Sequence, residues 1–493
     1  MRKKSSPGNL PLTHHETDVV VLGGGLAGLR AALAARTAHP DCRVAVVASL
    51  DGPSGSSFAN PNDTWGMQVC RDERDVAALV AEVMDLAAPG RVERRLVELL
   101  ARESLARFTD LQDLGVLFTQ EPGGDGHGAP GCFSPVSRRA AIVKNLSRVF
   151  ACFRRRLEDL RVEWLPGWLA AAPLAADGRV RGMLLLSRDE TRALAVRAEA
   201  TVLALGGPAP LFSRHLAGPG NPGYALGLLR RAGAQLVNAG FLQFFWSELP
   251  SRRFFPLHQA FDASFGVPTR EGLLLPLAEH RPEFLASLAA SRANHCPCAH
   301  GRPDALLDTA LVGLADTDGI VRLGRGDATR LVALFAHAGN GGAAIDALGH
   351  TGAAGLFAAG ECAGGMHGAN RMGGAMITAT QVFGARAGWA AALEASLRDP
   401  MPRRPFLDLA EASLAGLPRN PAVRRHGLAR LGTALSRLAP FGQEAALREL
   451  DRTLTPPLAR PTDWMLDLAR ESGLAIVQDQ LATSAATSPS RAA

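Results

Sequence analysis

Lysine is almost missing from this chain. It occurs only at Lys3, Lys4 and Lys144, so the net charge of +6 comes from arginines scattered through an alanine-rich background. No basic stripe with interleaved aromatics results, which argues against nucleic-acid binding and leaves open a mildly positive cleft for an anionic substrate. Long apolar runs are missing too. No stretch reaches the roughly 18 residues of a membrane-spanning helix. The opening "MRKKSSPGNLPLTHHETD" has no apolar core of a secretory signal and reads as a floppy leader. The seven cysteines are odd in number and dispersed, which opposes a disulfide framework and fits a reducing, cytoplasmic compartment. They include no set for an iron–sulfur cluster, and no repeat of solenoid length is present. What remains is an ordinary globular composition, 47% hydrophobic and 20% charged, long enough for two or three domains.

The chain has a clear punctuation. "TDVVVLGGGLAGLRAALAART" reads as a buried strand, a tight glycine turn and a helix, and "CRVAVVASL" as a second buried strand completing a β-α-β unit. Gly23, Gly25 and Gly28 fit G-x-G-x-x-G in the context that gives it meaning. Gly23 permits the turn, Gly25 lets a pyrophosphate touch the backbone, and Gly28 lets helix and strand pack closely. The second strand ends Val47-Ala48-Ser49 without the ribose-binding acid of a plain nicotinamide enzyme, since Asp51 comes late. A meander from Arg179 leads to another buried strand ending at Gly206-Gly207, and Val76 to Leu114 has helical periodicity.

The stretch "LFAAGECAGGMHGANRMGGAMITATQVFGARAG" identifies the dinucleotide. FAD enzymes with two-dinucleotide-type domains end a late strand in Gly-Asp or Gly-Glu to hold the ribityl–phosphate end, as Gly360-Glu361 would here. A helix starting near Ala375 would then aim its positive N-terminus at the flavin ring. Asn370, Ala375 and Met376 join the expected cofactor contacts, with Ser49 and Gly206.

These residues resemble the flavoprotein subunits of succinate dehydrogenase and fumarate reductase, together with L-aspartate oxidase. "GLFAAGECAGGMHGANRMGGA" is similar to that family's late motif almost throughout. "VLALGGPAP" with "RRAGAQLVNAGFLQF", "GPSGSS" and "HAGNGGAAIDALGHT" are similar to its middle segments, so the likeness runs from about Asp18 to Gly388. The resemblance implies that His337 and Arg371 hold a substrate carboxylate beside the flavin, a planar fork with a second donor. Hydride would pass between substrate carbon and flavin, and an arginine of an inserted domain would exchange the proton. His367 is a further substrate candidate, as readily explained by a loop histidine touching only backbone.

Several positions depart from the family. Its His-Pro-Thr, which grips a second carboxylate, is replaced by Phe245-Trp246-Ser247, so Phe245 favours an apolar substrate end or a closed pocket. The proton-transfer arginine is assigned to Arg302, with Arg252, Arg253 and Arg270 competing; Arg270 and Glu271 are what remains of the family's proton-relay segment. The glutamate of aspartate oxidases falls near Pro130, which opposes ordinary aspartate oxidation. Ser56-Ser57 stand where succinate dehydrogenases carry a flavin-linking histidine, so the FAD should be non-covalent. The cluster "HCPCAH" (His295, Cys296, Cys298, His300) admits zinc or thiol chemistry, yet its spacing is not C-x-x-C and no second half-site follows, so no metal is assigned.

The expectation is an α/β protein with an α+β cap: a leader over 1–16, a discontinuous Rossmann-like FAD domain over 17–239 and 335–395, and an inserted capping domain over 240–334. A helical domain over 396–480 and a disordered tail over 481–493 would complete it. It should act on a small carboxylate as an FAD oxidoreductase. The alternative is an electron-transfer subunit serving a separate iron–sulfur protein.

Overall fold

The computed structural model describes residues 10–120, 131–134, 139–257, 282–323, 329–455 and 462–487. Its centre is a five-stranded parallel sheet in the order Leu356–Ala358, Ala200–Leu203, Val19–Leu22, Val44–Ala48, Glu163–Pro166. The inner strands are buried on both faces, which is why they read as unbroken apolar runs rather than as alternation. Register decides where the site falls. Leu203 lies beside Leu22 on one side and Ala358 on the other, so three strands end level with each other. The turns that follow them, at Gly23, Gly206 and Gly360, therefore open into one crevice at the carboxyl edge of the sheet.

Helix Leu26–Ala38 leaves the first turn and lies against helix Ala375–Ser396. Small residues set that closeness: a Cβ on Gly388 would stand 2.0 Å from the Ala31 carbonyl oxygen. The expected helical stretch after Val76 is two helices, Glu73–Ala87 and Arg94–Asp113. Asp72 caps the first by accepting from the Arg74 and Asp75 amides.

Two expectations are corrected at the chain ends. Leu12–Glu16 is not a floppy leader but a strand, added in parallel to Ala193–Arg197 at the edge of the sheet that continues through Arg179–Ser187 and Trp168–Ala176. The tail expected from residue 481 is still helical there, because helix Trp464–Thr487 buries Trp464, Leu468, Ile476 and Val477 and runs on through alanines; residues 488–493 lie outside the described residues. Helices Arg403–Ala415, Pro421–Ser436 and Glu444–Leu454 complete this region. No helix among the described residues is long and apolar enough to cross a membrane.

The inserted region is built on an antiparallel sheet, Leu242–Glu248, Arg330–Gly339 and Ile320–Leu323, with helices Pro282–Arg292 and Ala305–Gly313. Strand Arg330–Gly339 runs through the expected boundary at 334, tying cap to FAD domain. Its pairing with Leu242–Glu248 skips a residue: Gln243 faces Ala338 and Phe244 faces Ala336. The unpaired residue is His337, and a bulge is a means of re-aiming one side chain next to a site.

Candidate active site

The crevice at the sheet edge is walled by the Gly23–Gly25 turn, Ser49, Ser54–Ser57, Gly206, Gly220–Pro222 and Gly360–Glu361, with Met376 and Thr380. Its chemistry suits a pyrophosphate-bearing nucleotide. Gly25 begins the helix without a side-chain cap, so its first amides are free for an anion. A Cβ on Gly25 would meet nothing within 4 Å, as expected where backbone must stay bare for a ligand. Gly23 has φ +123°, and a Cβ added there would stand 2.2 Å from the Ala204 carbonyl oxygen; one added at Gly28 would stand 1.9 Å from the Gly23 carbonyl oxygen. Ser49 donates to the Gly220 carbonyl at 2.8 Å, while Asp51 is occupied by the Trp164 indole N–H at 2.8 Å. Gly28→Ala should yield protein carrying less than about a tenth of the wild-type flavin, at a cost of about 1.4 kcal/mol or more in cofactor affinity. Flavin absorbance per protein after desalting measures this; undiminished yellow protein would show that the turn tolerates the shift.

Beside the crevice lies a second cavity of about 240 Å³, sharing Ser56, Ser57, Glu361 and Met376 as common walls. Arg371, His337 and Phe245 all reach it. Arg371 is held from behind: its Nε donates to Asn340 Oδ1 at 3.0 Å and its Nη2 to Gln243 Oε1, while Gln243 Nε2 donates to the Arg371 carbonyl at 2.9 Å. Burial lowers its pKa to about 10, opposed by the Glu361 carboxylate, so it stays charged at neutral pH. Burial, and then Arg371, push His337 down to about 3, leaving a neutral ring whose Nδ1 has no protein partner. Burial raises Glu361, against the pull of Arg371 and the amides of Gly339 and Gly207. Helix Ala375–Ser396 starts at the same wall, with Gly373, Gly374 and Met376 lining the cavity. The opposite character comes from Phe245, stacked on Phe254 at 4.4 Å and set edge-on to His337 at 4.7 Å. Pro297, Trp65 and Ile377 extend that apolar wall.

Other expected residues go elsewhere. Arg302 does not line the cavity; it pairs with exposed Asp85 at 2.5 Å, because the loop before helix Ala305–Gly313 faces helix Glu73–Ala87 rather than the flavin side. Arg252 and Arg253 do not line it either, and Arg270, Glu271 and Pro130 lie outside the described residues. His367 is buried off the cavity; its carbonyl accepts from Asn238 at 2.7 Å, and burial followed by Arg371 keeps the ring well below its ordinary pKa. Asn370 does not reach the cofactor crevice: it clamps His300, accepting from its N–H at 2.8 Å and donating to its carbonyl at 2.9 Å. Ala375 supports Met376 without lining the crevice. In the histidine–cysteine cluster, His295 Nε2 meets Asp304 at 2.6 Å and His300 Nε2 meets the Leu242 carbonyl at 3.2 Å. Among the described residues no group of three potential ligands could hold a metal ion.

Residues not singled out from sequence complete the site. Gln243 and Asn340 orient Arg371, and their only signal was position, inside "FLQF" and three residues after His337. Cys132 and Cys296 both line the cavity although far apart in the chain.

The FAD binding domain family matches residues 18–258 and 328–377. An L-aspartate oxidase of Caulobacter vibrioides is 32% identical over 490 residues, covering 90% of each chain. A fumarate reductase (CoM/CoB) subunit of Methanothermobacter marburgensis is 27% identical over 438 residues, covering 83% of this chain and 78% of that one. Among solved structures, Mycobacterium smegmatis Sdh1 in complex with UQ1 has a TM-score of 0.71 at 24% identity, covering 96% of this chain and 87% of that one, which shows the shared fold. This chain therefore belongs to the family of FAD-dependent oxidoreductases that includes L-aspartate oxidases and fumarate reductase flavoproteins, and binds FAD as one of them.

Proposed function

We propose that the chain oxidises or reduces the bond next to the carboxylate of a substrate whose other end is apolar. The supporting observation is the mixed lining of one cavity: a buried, charged Arg371, a neutral His337, the stacked Phe245–Phe254 pair packed edge-on against that histidine, and walls shared with the FAD crevice. Bound FAD supplies the hydride acceptor or donor. Arg371 binds and orients the carboxylate through donors that Asn340 and Gln243 leave unused, and His337 adds a neutral contact. The aromatic pair excludes water and offers no cation for a second carboxylate. Arg302, tied to Asp85 outside the cavity, has no part in this reading. The titratable groups other than Arg371 that line the cavity, among the described residues, are His337, Glu361, Cys132 and Cys296.

The test is an anaerobic titration of the yellow protein, and of its dithionite-reduced form, with aryl- and alkyl-tailed monocarboxylates against succinate, fumarate and aspartate. Flavin bleaching or reoxidation should favour the apolar monocarboxylates, and Phe245→His should shift preference toward dicarboxylates by about tenfold. A wild-type preference for dicarboxylates, or a spectrum unmoved by every carboxylate, would sink it.

A second reading is favoured by the names of two relatives, the fumarate reductase (CoM/CoB) subunit of Methanothermobacter marburgensis and a fumarate reductase flavoprotein subunit of Mycobacterium tuberculosis. The flavin would then pass electrons to a separate iron–sulfur protein. Purification from the native source without a cluster-bearing companion, together with full turnover using oxygen alone, would dismiss it.

A further inference from the structure

Two thiols face each other in the flavin-side cavity. Cys132 enters it from the segment Gly131–Ser134, and Cys296 from the loop after helix Pro282–Arg292. Both are free and only partly buried. Their meeting is fixed by backbone on both sides. The Phe133 amide donates to the Asn294 carbonyl at 3.2 Å, and the Cys132 carbonyl accepts from the Gly373 amide at 2.9 Å. The Phe133 ring stacks on His295 with 4.1 Å between centroids. The two side chains thereby line the same cavity close enough for each thiol to act on the ionisation of the other. Arg292, wholly buried, anchors the second loop by donating to the Cys296 carbonyl at 2.8 Å and to the His295 carbonyl.

We propose that Cys132 and Cys296 form a redox-active dithiol that exchanges an electron pair with the bound flavin. This rests on the flavin ring lying against the cavity, as the reading above has it, and not on which carboxylate is turned over. In the oxidising direction an S–S bond forms between the two Sγ atoms and the Cys296 S–H bond breaks. Two electrons pass to oxidised FAD together with that one proton, so thiolate, thiol and FAD become disulfide and singly protonated reduced FAD. The reverse reaction restores both. The environment suits the step, since a thiolate is the nucleophile in disulfide formation. The hydrogen bond from Cys296, foremost, outweighs burial and with its N–H, His295 and Arg292 lowers the Cys132 pKa, while the same bond raises that of Cys296. One sulfur is poised to attack and the other carries the proton. The remaining cysteine of the cluster, Cys298, is buried off the cavity beside Asp308 and takes no part.

The test uses the full-length holoenzyme, reduced with excess dithionite, freed of it and reoxidised in air. Anaerobic reductive titration should then consume four electrons per flavin in wild type and two in Cys132→Ser and in Cys296→Ser. Digestion without reductant should release a peptide pair joined through Cys132 and Cys296. Flavin-stripped protein taken through the same cycle should keep both thiols open to alkylation. If Cys132→Ser fails to hold flavin, Cys296→Ser gives the same reading, because either change removes the disulfide. Two electrons in wild type with both thiols alkylated would overturn the proposal, and so would equal cross-linking without flavin. Neither measurement involves a carboxylate, so failure of the carboxylate titration bears on the proposed function alone.

Discussion

Arg371→Ala is expected to lower turnover by about a thousandfold or more, about 4 kcal/mol of transition-state stabilisation, while the protein stays yellow. The size follows from burial. A guanidinium removed from water and fixed by Asn340 and Gln243 offers its remaining donors already aimed, so little reorganisation is left for substrate to cause. The flavin should remain because the phosphate-facing turn and Ser49 belong to other elements of the crevice. Arg371→Lys keeps the charge and loses the fork, so its expected defect lies mainly in KM. The pH dependence is equally definite. Arg371 loses its proton as pH rises through about 10, and His337 is already neutral above about 3. Carboxylate affinity should therefore fall about tenfold per unit above pH 10, and in wild type also weaken as the Cys132 thiol, lowered to about 6 in the same cavity, becomes an anion. An affinity that still halves near pH 6.5 in Cys132→Ser would mean that a protonated His337 does the gripping. Undiminished turnover in Arg371→Ala would remove the carboxylate reading altogether.

The sequence announced this architecture where chemistry is local. A glycine turn between an apolar strand and a helix has one economical meaning, and the structure places Gly23, Gly206 and Gly360 at three level strand ends. His337 and Arg371 were readable through the family likeness, and both reach the cavity. What eluded it depends on partners distant in the chain. Arg302 stands before an apolar helix, as a proton-carrying arginine should, but which way that loop faces is decided by Asp85 on another helix. Asn370 looked like a cofactor contact until His300 was brought against it. Strand Leu12–Glu16 alternates weakly and is held by backbone pairing with Ala193–Arg197, which composition does not record. The cysteine pair is the strongest case, since the Phe133–Asn294 hydrogen bond and the Phe133–His295 stack make neighbours of residues far apart in the chain.

The same buried cluster beneath Cys296 supports the second large effect. Asp308→Ala should destabilise the protein by about 3–5 kcal/mol, because Arg292 would lose its direct ion-pair partner in a fully buried site. Asp308 Oδ1 accepts from Arg292 at 3.1 Å and from the Trp246 indole at 3.0 Å, so two donors lose their acceptor at once. Thermal or urea unfolding of the holoenzyme measures the loss. Its origin is separable by a double-mutant cycle. If the uncompensated charge is what costs, Arg292→Met combined with Asp308→Leu should be clearly more stable than Asp308→Ala alone, since an apolar pair of similar volume can replace a buried ion pair. If instead the grip of Arg292 on the His295 and Cys296 carbonyls dominates, the double variant stays as unstable as the single one, and Cys296 becomes readily alkylated in the native state. The first outcome assigns Asp308 to the fold alone; the second makes the ion pair the support that keeps one of the two facing thiols in place.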